Sequence, residues 1–168
     1  PLSLGNPQIA LGAGIGMVHQ HFTLANNLTV YDNIVLGSEP LFGIKRDRSR
    51  ATKKINKIIE KSGLNADLNN IVSNLSVGER QRVEILKALY RDAKILVLDE
   101  PTAVLTPQEA DSLFSNIKAM TKSGLSVIFI SHKLREVLDF SDRIAVLRAG
   151  KKVGEMNTRS ADEKKIAL

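Results

Sequence analysis

The chain has 168 residues, the size of one ordinary domain, and its 43% apolar and 25% charged residues allow a real core and exclude a low-hydrophobicity disordered chain. It contains no cysteine, which excludes a disulfide scaffold, a thiolate zinc site and a cysteine nucleophile, and which suits a reducing compartment. The net charge of +6 resembles a nucleic-acid signal until it is mapped: Lys45 to Lys61 holds eight basic residues against Asp47 and Glu60, and the rest of the chain carries sixteen charges of each sign.

The predicted elements begin with a short strand, Ile15-Gly16-Met17-Val18, ending at His19-Gln20. Thr29-Val30-Tyr31-Asp32 has the spacing of a capping box, with Asp in place of Glu or Gln, and opens a short helix that stops at Gly37. The basic window reads as a helix with Ile55, Ile58 and Ile59 on one stripe and Lys53, Lys54, Lys57 and Lys61 outside it, closed by Gly63. Ser76-Val77-Gly78-Glu79 is a second capping box, followed by helical Val83, Leu86 and Leu89. Lys94 to Asp99 is a buried strand. Thr106-Pro107-Gln108-Glu109 is a third box with Pro at the first helical position, and Ala110, Leu113, Phe114 and Ile117 form its apolar stripe. Ser126 to Ser131 is a strand, Leu134, Val137 and Leu138 mark a further helix, and Arg143–Arg148 and Lys152–Met156 flank Ala149-Gly150-Lys151 as a hairpin. The longest wholly apolar runs, such as Ile95–Leu98, fall far short of the ~20 residues of a membrane span. With Pro first and no signal-peptide pattern after it, the chain is expected to be part of something longer.

Strands alternating with helices give an α/β class. Ile95–Leu98 and Val127–Ile130 are continuously apolar, which predicts strands covered on both faces. Ligands of such sheets sit beyond the carboxyl ends of the strands, so the positions to weigh are Gln20, Asp99-Glu100 and Ser131-His132. Two adjacent carboxylates after a buried strand are costly unless a cation balances them, and Mg²⁺ prefers such hard oxygen ligands. Asp99 could then hold Mg²⁺ and Glu100 orient and deprotonate an attacking water; the alternative is a polar turn at Pro101. His132 also fits a capping role, and Gln20 a turn role. His19 and His21, two apart, point only weakly to a metal. Ser76, Gly78 and the helix they open suit a phosphate, against the alternative of an ordinary capped helix.

Taken together, these segments resemble the ATP-binding-cassette ATPases. Leu75-Ser76-Val77-Gly78-Glu79 is similar to the family signature Leu-Ser-Gly-Gly-Gln, followed by Gln81-Arg82-Val83. Ile95 to Glu100 resembles Walker B with its catalytic glutamate, Pro101 to Thr106 the D-loop region, His132 the switch histidine and Gln20 the Q-loop glutamine. Met17-Val18-His19-Gln20-His21-Phe22, Asn27-Leu28-Thr29-Val30 and Ile130-Ser131-His132-Lys133-Leu134 are similar to the tandem ATPase subunits of bacterial importers for simple sugars and nucleosides, in the first of their two cassettes.

The resemblance implies a P-loop NTPase-like (RecA-like) mostly parallel sheet, with residues 1–20 and 93–168 as core and 21–92 as a helical, signature-bearing subdomain. It implies ATP and Mg²⁺ as cofactors. Asp99 would hold the metal through water, with Gln20 sensing metal and water; Glu100 would polarise the attacking water; His132 would contact the γ-phosphate; Ser76, Gly78 and Glu79 would face a nucleotide held by a second cassette. It implies permease subunits and a second cassette as partners, a periplasmic or lipoprotein solute-binding protein indirectly, no nucleic acid, and a peripheral place at the cytoplasmic face of the bacterial inner membrane.

Three departures stand out. Val77 and Glu79 replace signature residues, and a carboxylate beside a phosphate site is electrostatically odd unless Glu79 turns back to cap the Ser76 N–H. Thr106 stands where many members have an aspartate. No Gly-x-x-x-x-Gly-Lys-Ser/Thr occurs in the 168 residues, so the Walker A phosphate loop and the first strands are expected upstream of Pro1 and the chain alone is expected to be inactive. Two alternatives remain: a soluble relative acting on ribosomes or nucleic acid, and a non-enzymatic module that docks and donates a signature. The 55 positions between Gln20 and Leu75 leave no room for a long coiled coil.

Overall fold

A computed structural model describes residues 5–38 and 47–161. Lys45 and Arg46, at the start of the basic window, lie outside the described residues. The chain divides into two units, residues 1–130 and 131–168.

In the first unit, helix α1 (Pro7–Gly12) precedes strand β1 (Ile15–Val18). Helices α2 (Val30–Val35), α3 (Arg48–Ser62) and α4 (Val77–Tyr90) lead to β2 (Ile95–Asp99), and α5 (Pro107–Lys122) to β3 (Ser126–Ile130). The three strands form a parallel sheet in the order β1-β2-β3, with Val18 opposite Leu98 and Asp99 opposite Ile130. Parallel neighbours require long crossovers, and here α2–α4 and α5 supply them.

The local chemistry explains the boundaries. Asp47 Oδ1 accepts the Arg50 N–H to start α3, and Gly63, at φ 71°, ends it in the left-handed conformation that favours glycine. Both predicted boxes with Glu close reciprocally, at Ser76/Glu79 and Thr106/Glu109. The Thr29/Asp32 box does not: Asp32 N–H donates to Thr29 Oγ1, but Asp32 is one methylene too short to reach back to the backbone and accepts the Thr29 hydroxyl instead. Helix α1 was not foreseen in the sequence, although Asn6 caps it from Oδ1 and Pro7 stands at its first position.

The core lies on one face of the sheet. Val18, Leu96 and Leu98 are buried there against α4 and α5, with Val83, Leu86, Leu113 and Phe114. Phe114 meets Phe129 edge-on at 5.3 Å. The expectation of two covered faces is corrected: Met17 (46% exposed), Ile128 (56%) and Ile130 (49%) face outward, because α4 and α5 both pack on the other side. Strand β3 is an apolar, uncharged edge among the described residues, a template for unwanted pairing. Ile128→Thr is expected to lower self-association, read by light scattering, while changing the free energy of urea unfolding by less than about 0.5 kcal/mol.

In the second unit, α6 (Leu134–Phe140) precedes an antiparallel hairpin of β4 (Arg143–Arg148) and β5 (Lys151–Asn157). Its two-residue turn holds Ala149 and Gly150 at positive φ, 48° and 75°, as a twisted hairpin demands. Ser141 and Thr158 share a hydroxyl hydrogen bond that ties the start of the hairpin to its end.

Candidate functional site

The register of the parallel sheet sets the site. Because Val18 pairs with Leu98, the residues two beyond each, Gln20 and Glu100, leave the same rim side by side. Gln20 Nε2 donates to Glu100 Oε2 at 3.1 Å, across 80 positions of sequence. Asp99 ends β2 and is half-buried, so two carboxylates stand in sequence at the strand's carboxyl end.

The backbone aims Glu100. Its N–H donates to Ile130 O at 2.9 Å, extending the β2–β3 ladder, and its carbonyl accepts from Ala103 N–H at 3.1 Å. Held on both sides, Glu100 takes φ 45°, a left-handed conformation that costs a non-glycine residue about 1 kcal/mol or more. Pro101 and Thr102 behind it are buried, so the turn is fixed by packing as well as by hydrogen bonds.

Ser76, Gly78 and Glu79 occupy a different element, the N-terminus of α4. Glu79 Oε2 accepts the Ser76 N–H at 2.8 Å, and Ser76 Oγ accepts the Glu79 N–H at 3.3 Å. The expected fold-back is therefore present. The hydrogen bond from the Ser76 backbone, then that from its side chain, holds the Glu79 carboxyl below the usual carboxylate range. The Ser76 amide is thereby used within the box. The box stabilises the folded state fully above the ordinary carboxylate pKa, and this contribution fades as pH falls through the lowered one. Ser76→Ala is expected to cost about 1 kcal/mol in urea unfolding at pH 7, and somewhat less once Glu79 is protonated, because the cap bond from the Glu79 N–H does not titrate.

Gly78 is buried, and a Cβ built on it would lie 2.7 Å from Glu109 Oε1 and 3.7 Å from Leu105. The side chain that closes the box of α5 thus occupies the space a larger residue at 78 would need. Glu109 accepts from the Thr106 backbone N–H at 2.9 Å, and this bond, with the Thr106 side chain, lowers its pKa. The two capping boxes are packed against each other at this glycine.

Two site-supporting residues were missed in the sequence. Glu84, buried in α4, accepts from Thr23 N–H at 2.6 Å and from the Thr23 hydroxyl at 2.9 Å, anchoring the segment after Gln20 to the helix that carries Ser76. Asn33, fully buried, fastens the next turn by accepting from Ala25 N–H and donating to the Ala25 and Thr29 carbonyls. An isolated polar residue on a buried helix face was the available signal for each. Arg80 adds a clamp ahead of α4, donating to the Leu75 and Ser73 carbonyls.

His132 is in the second unit, exposed, two residues beyond β3. Its turn is set by Ser131, whose hydroxyl donates to Glu136 and whose oxygen accepts the Lys133 N–H. His19 and His21 are exposed, and no cluster of three or more His, Cys, Asp or Glu side chains among the described residues could enclose a metal ion. The donor set fits Mg²⁺ in a narrower sense: Asp99 and Glu100 offer hard oxygens at an open rim, where this ion keeps most of its waters.

The family model described as "ABC transporter" matches residues 5–103, more than half of the chain. The chain belongs to the ABC transporter family. The nucleoside import ATP-binding protein NupA of Lactococcus lactis is 48% identical over 90% of this chain, and the glucose import ATP-binding protein TsgD13 of Haloferax volcanii is 43% identical over 99%. The ribose import ATP-binding protein RbsA of Yersinia pestis is 41% identical over 93%. The chain spans 30%, 35% and 31% of these three relatives, about a third of their length. Among solved structures, an ATP-binding cassette in its ADP conformation superposes with a TM-score of 0.78 at 26% identity, over 96% of this chain and 66% of that one. The cbiO1 subunit of Clostridium perfringens shares the fold, with a TM-score of 0.80, over 99% of this chain and 66% of that one. The α/β, P-loop NTPase-like fold expected from the sequence is thus the fold of this ABC transporter chain. No helix of its described residues is long and apolar enough to cross a membrane.

Proposed function

We propose that this chain is part of the ATP-hydrolysing subunit of an importer for simple sugars or nucleosides, working at the cytoplasmic face of the bacterial inner membrane. The observation that carries this reading is the hydrogen bond from Gln20 to Glu100 at the rim where Asp99 also ends. Bound Mg²⁺ would supply charge neutralisation for the phosphates of ATP, and Asp99 is the residue to hold it, through water. Glu100 takes the proton of the attacking water, and Gln20 orients its carboxylate. His132 contacts the γ-phosphate. Ser76 Oγ and the amides of Val77 and Gly78 face a nucleotide held by a second cassette, with Glu79 holding the Ser76 turn. Residues 21–92 form the subdomain that meets the permease, and a solute-binding protein acts through that permease.

The 168 residues contain no phosphate-loop sequence, so isolated they are expected to hydrolyse no ATP and to bind Mg-ATP more weakly than millimolar, measured by titration calorimetry. Micromolar binding would contradict this. A chimera in which the chain replaces the matched region of the Lactococcus relative is expected to restore ATP turnover in the assembled importer.

A further inference from the structure

We propose that the outer face of α3 binds an anionic phospholipid surface directly. Arg50, Lys53, Lys57 and Lys61 recur at three- and four-residue spacing, are exposed, and form one row about 17 Å long at 1.5 Å per residue. Among the described residues none of the four forms an ion pair. The opposite face carries Ala51 and Ile55 into the core, so the helix cannot turn its charges away. The two other basic residues of α3 are withdrawn: Lys54 pairs with Asp92 at 2.8 Å and covers the ring of Tyr90, and Arg48 lies over the ring of Tyr31.

The excess charge of the chain is confined to the stretch that contains this row, since residues outside 45–61 balance. Such a concentration has no internal use: it repels itself, and α3 is already capped by Asp47 and Gly63. A straight row of four cations, with Glu60 the one acid in the helix, fits a planar anionic lattice, where every head group is met at once. Single-stranded nucleic acid would need stacking platforms beside the cations, and the two tyrosines nearest the row have their rings covered by Arg48 and Lys54. The contact needs no ATP and no permease, so its failure leaves the ATPase reading untouched.

The test is co-sedimentation of the 168-residue chain with vesicles of phosphatidylcholine alone or with 30% phosphatidylglycerol, at low and at high salt. Binding is expected only to the anionic vesicles and is lost as salt screens the row. At about fivefold per charge, Lys53→Gln/Lys57→Gln/Lys61→Gln is expected to weaken it roughly a hundredfold. Lys94→Gln/Lys118→Gln/Lys122→Gln, with the same net charge, is expected to retain most of it. Equal binding to neutral vesicles, retention by the first variant, or equal loss in both variants overturns the proposal. So does tighter binding of poly(U) than of anionic vesicles at the same salt, which would make nucleic acid the partner. If circular dichroism shows the first variant unfolded, Lys57→Glu alone decides, with at least a tenfold loss expected and an unchanged affinity overturning the contact.

Discussion

Replacing Glu100 by Gln in the chimera with the Lactococcus relative is expected to lower ATP turnover by about two to four orders of magnitude, the usual share of a positioned general base, while ATP affinity stays within a few-fold. The amide keeps the size of the side chain and can still meet Gln20, which donates to Glu100 Oε2 at 3.1 Å, but it cannot take a proton. The left-handed backbone at Glu100 is held by Ile130 and Ala103, so the variant should keep the same turn. Gln20→Ala should give a smaller fall, because it leaves the proposed base in place and removes only its hydrogen-bond partner. A single-turnover assay separates the two effects from product release. Wild-type turnover in the Glu100→Gln chimera would place the base elsewhere or assign the turnover to the other cassette.

The second large effect is structural. Glu84→Ala is expected to destabilise the chain by about 3 kcal/mol in urea unfolding. Glu84 is buried and accepts two hydrogen bonds from Thr23, one from the backbone and one from the hydroxyl, and its removal leaves the Thr23 amide without that acceptor. The same variant should raise hydrogen exchange at Thr23 selectively, since this anchor holds the segment that follows Gln20. Glu84→Gln keeps an acceptor and should recover part of the loss. A uniform change in exchange over the whole unit would mean that Glu84 supports only the core and not that segment.

The structural pairing of Gln20 with Glu100 gives geometry to two residues that stand just after strands. Their meeting was foreseeable as a consequence of parallel strands, whose carboxyl ends gather on one rim. What the strands could not foretell was the exact posture of Glu100, because positive φ in a glutamate is imposed by neighbours and not by its own side chain. Similarly, the fold-back of Glu79 onto Ser76 was readable from a four-residue spacing, whereas the contact of Gly78 with Glu109 was not, since it depends on how α4 and α5 meet.

By itself the sequence determined much of what near neighbours govern. The boxes at Ser76 and Thr106, the closing Gly63, the hairpin about Ala149-Gly150 and the helical row of lysines all follow from side chains within four residues of the groups they satisfy. Tertiary structure alone decided the Thr23–Glu84 anchor, 61 positions apart, the left-handed posture of Glu100 that meets Gln20, and the face of the sheet that stays open at Met17, Ile128 and Ile130. The physical reason is range. Local hydrogen bonds and periodicity are written into short windows, but a buried carboxylate or an apolar strand face acquires its partner only when distant segments are packed together.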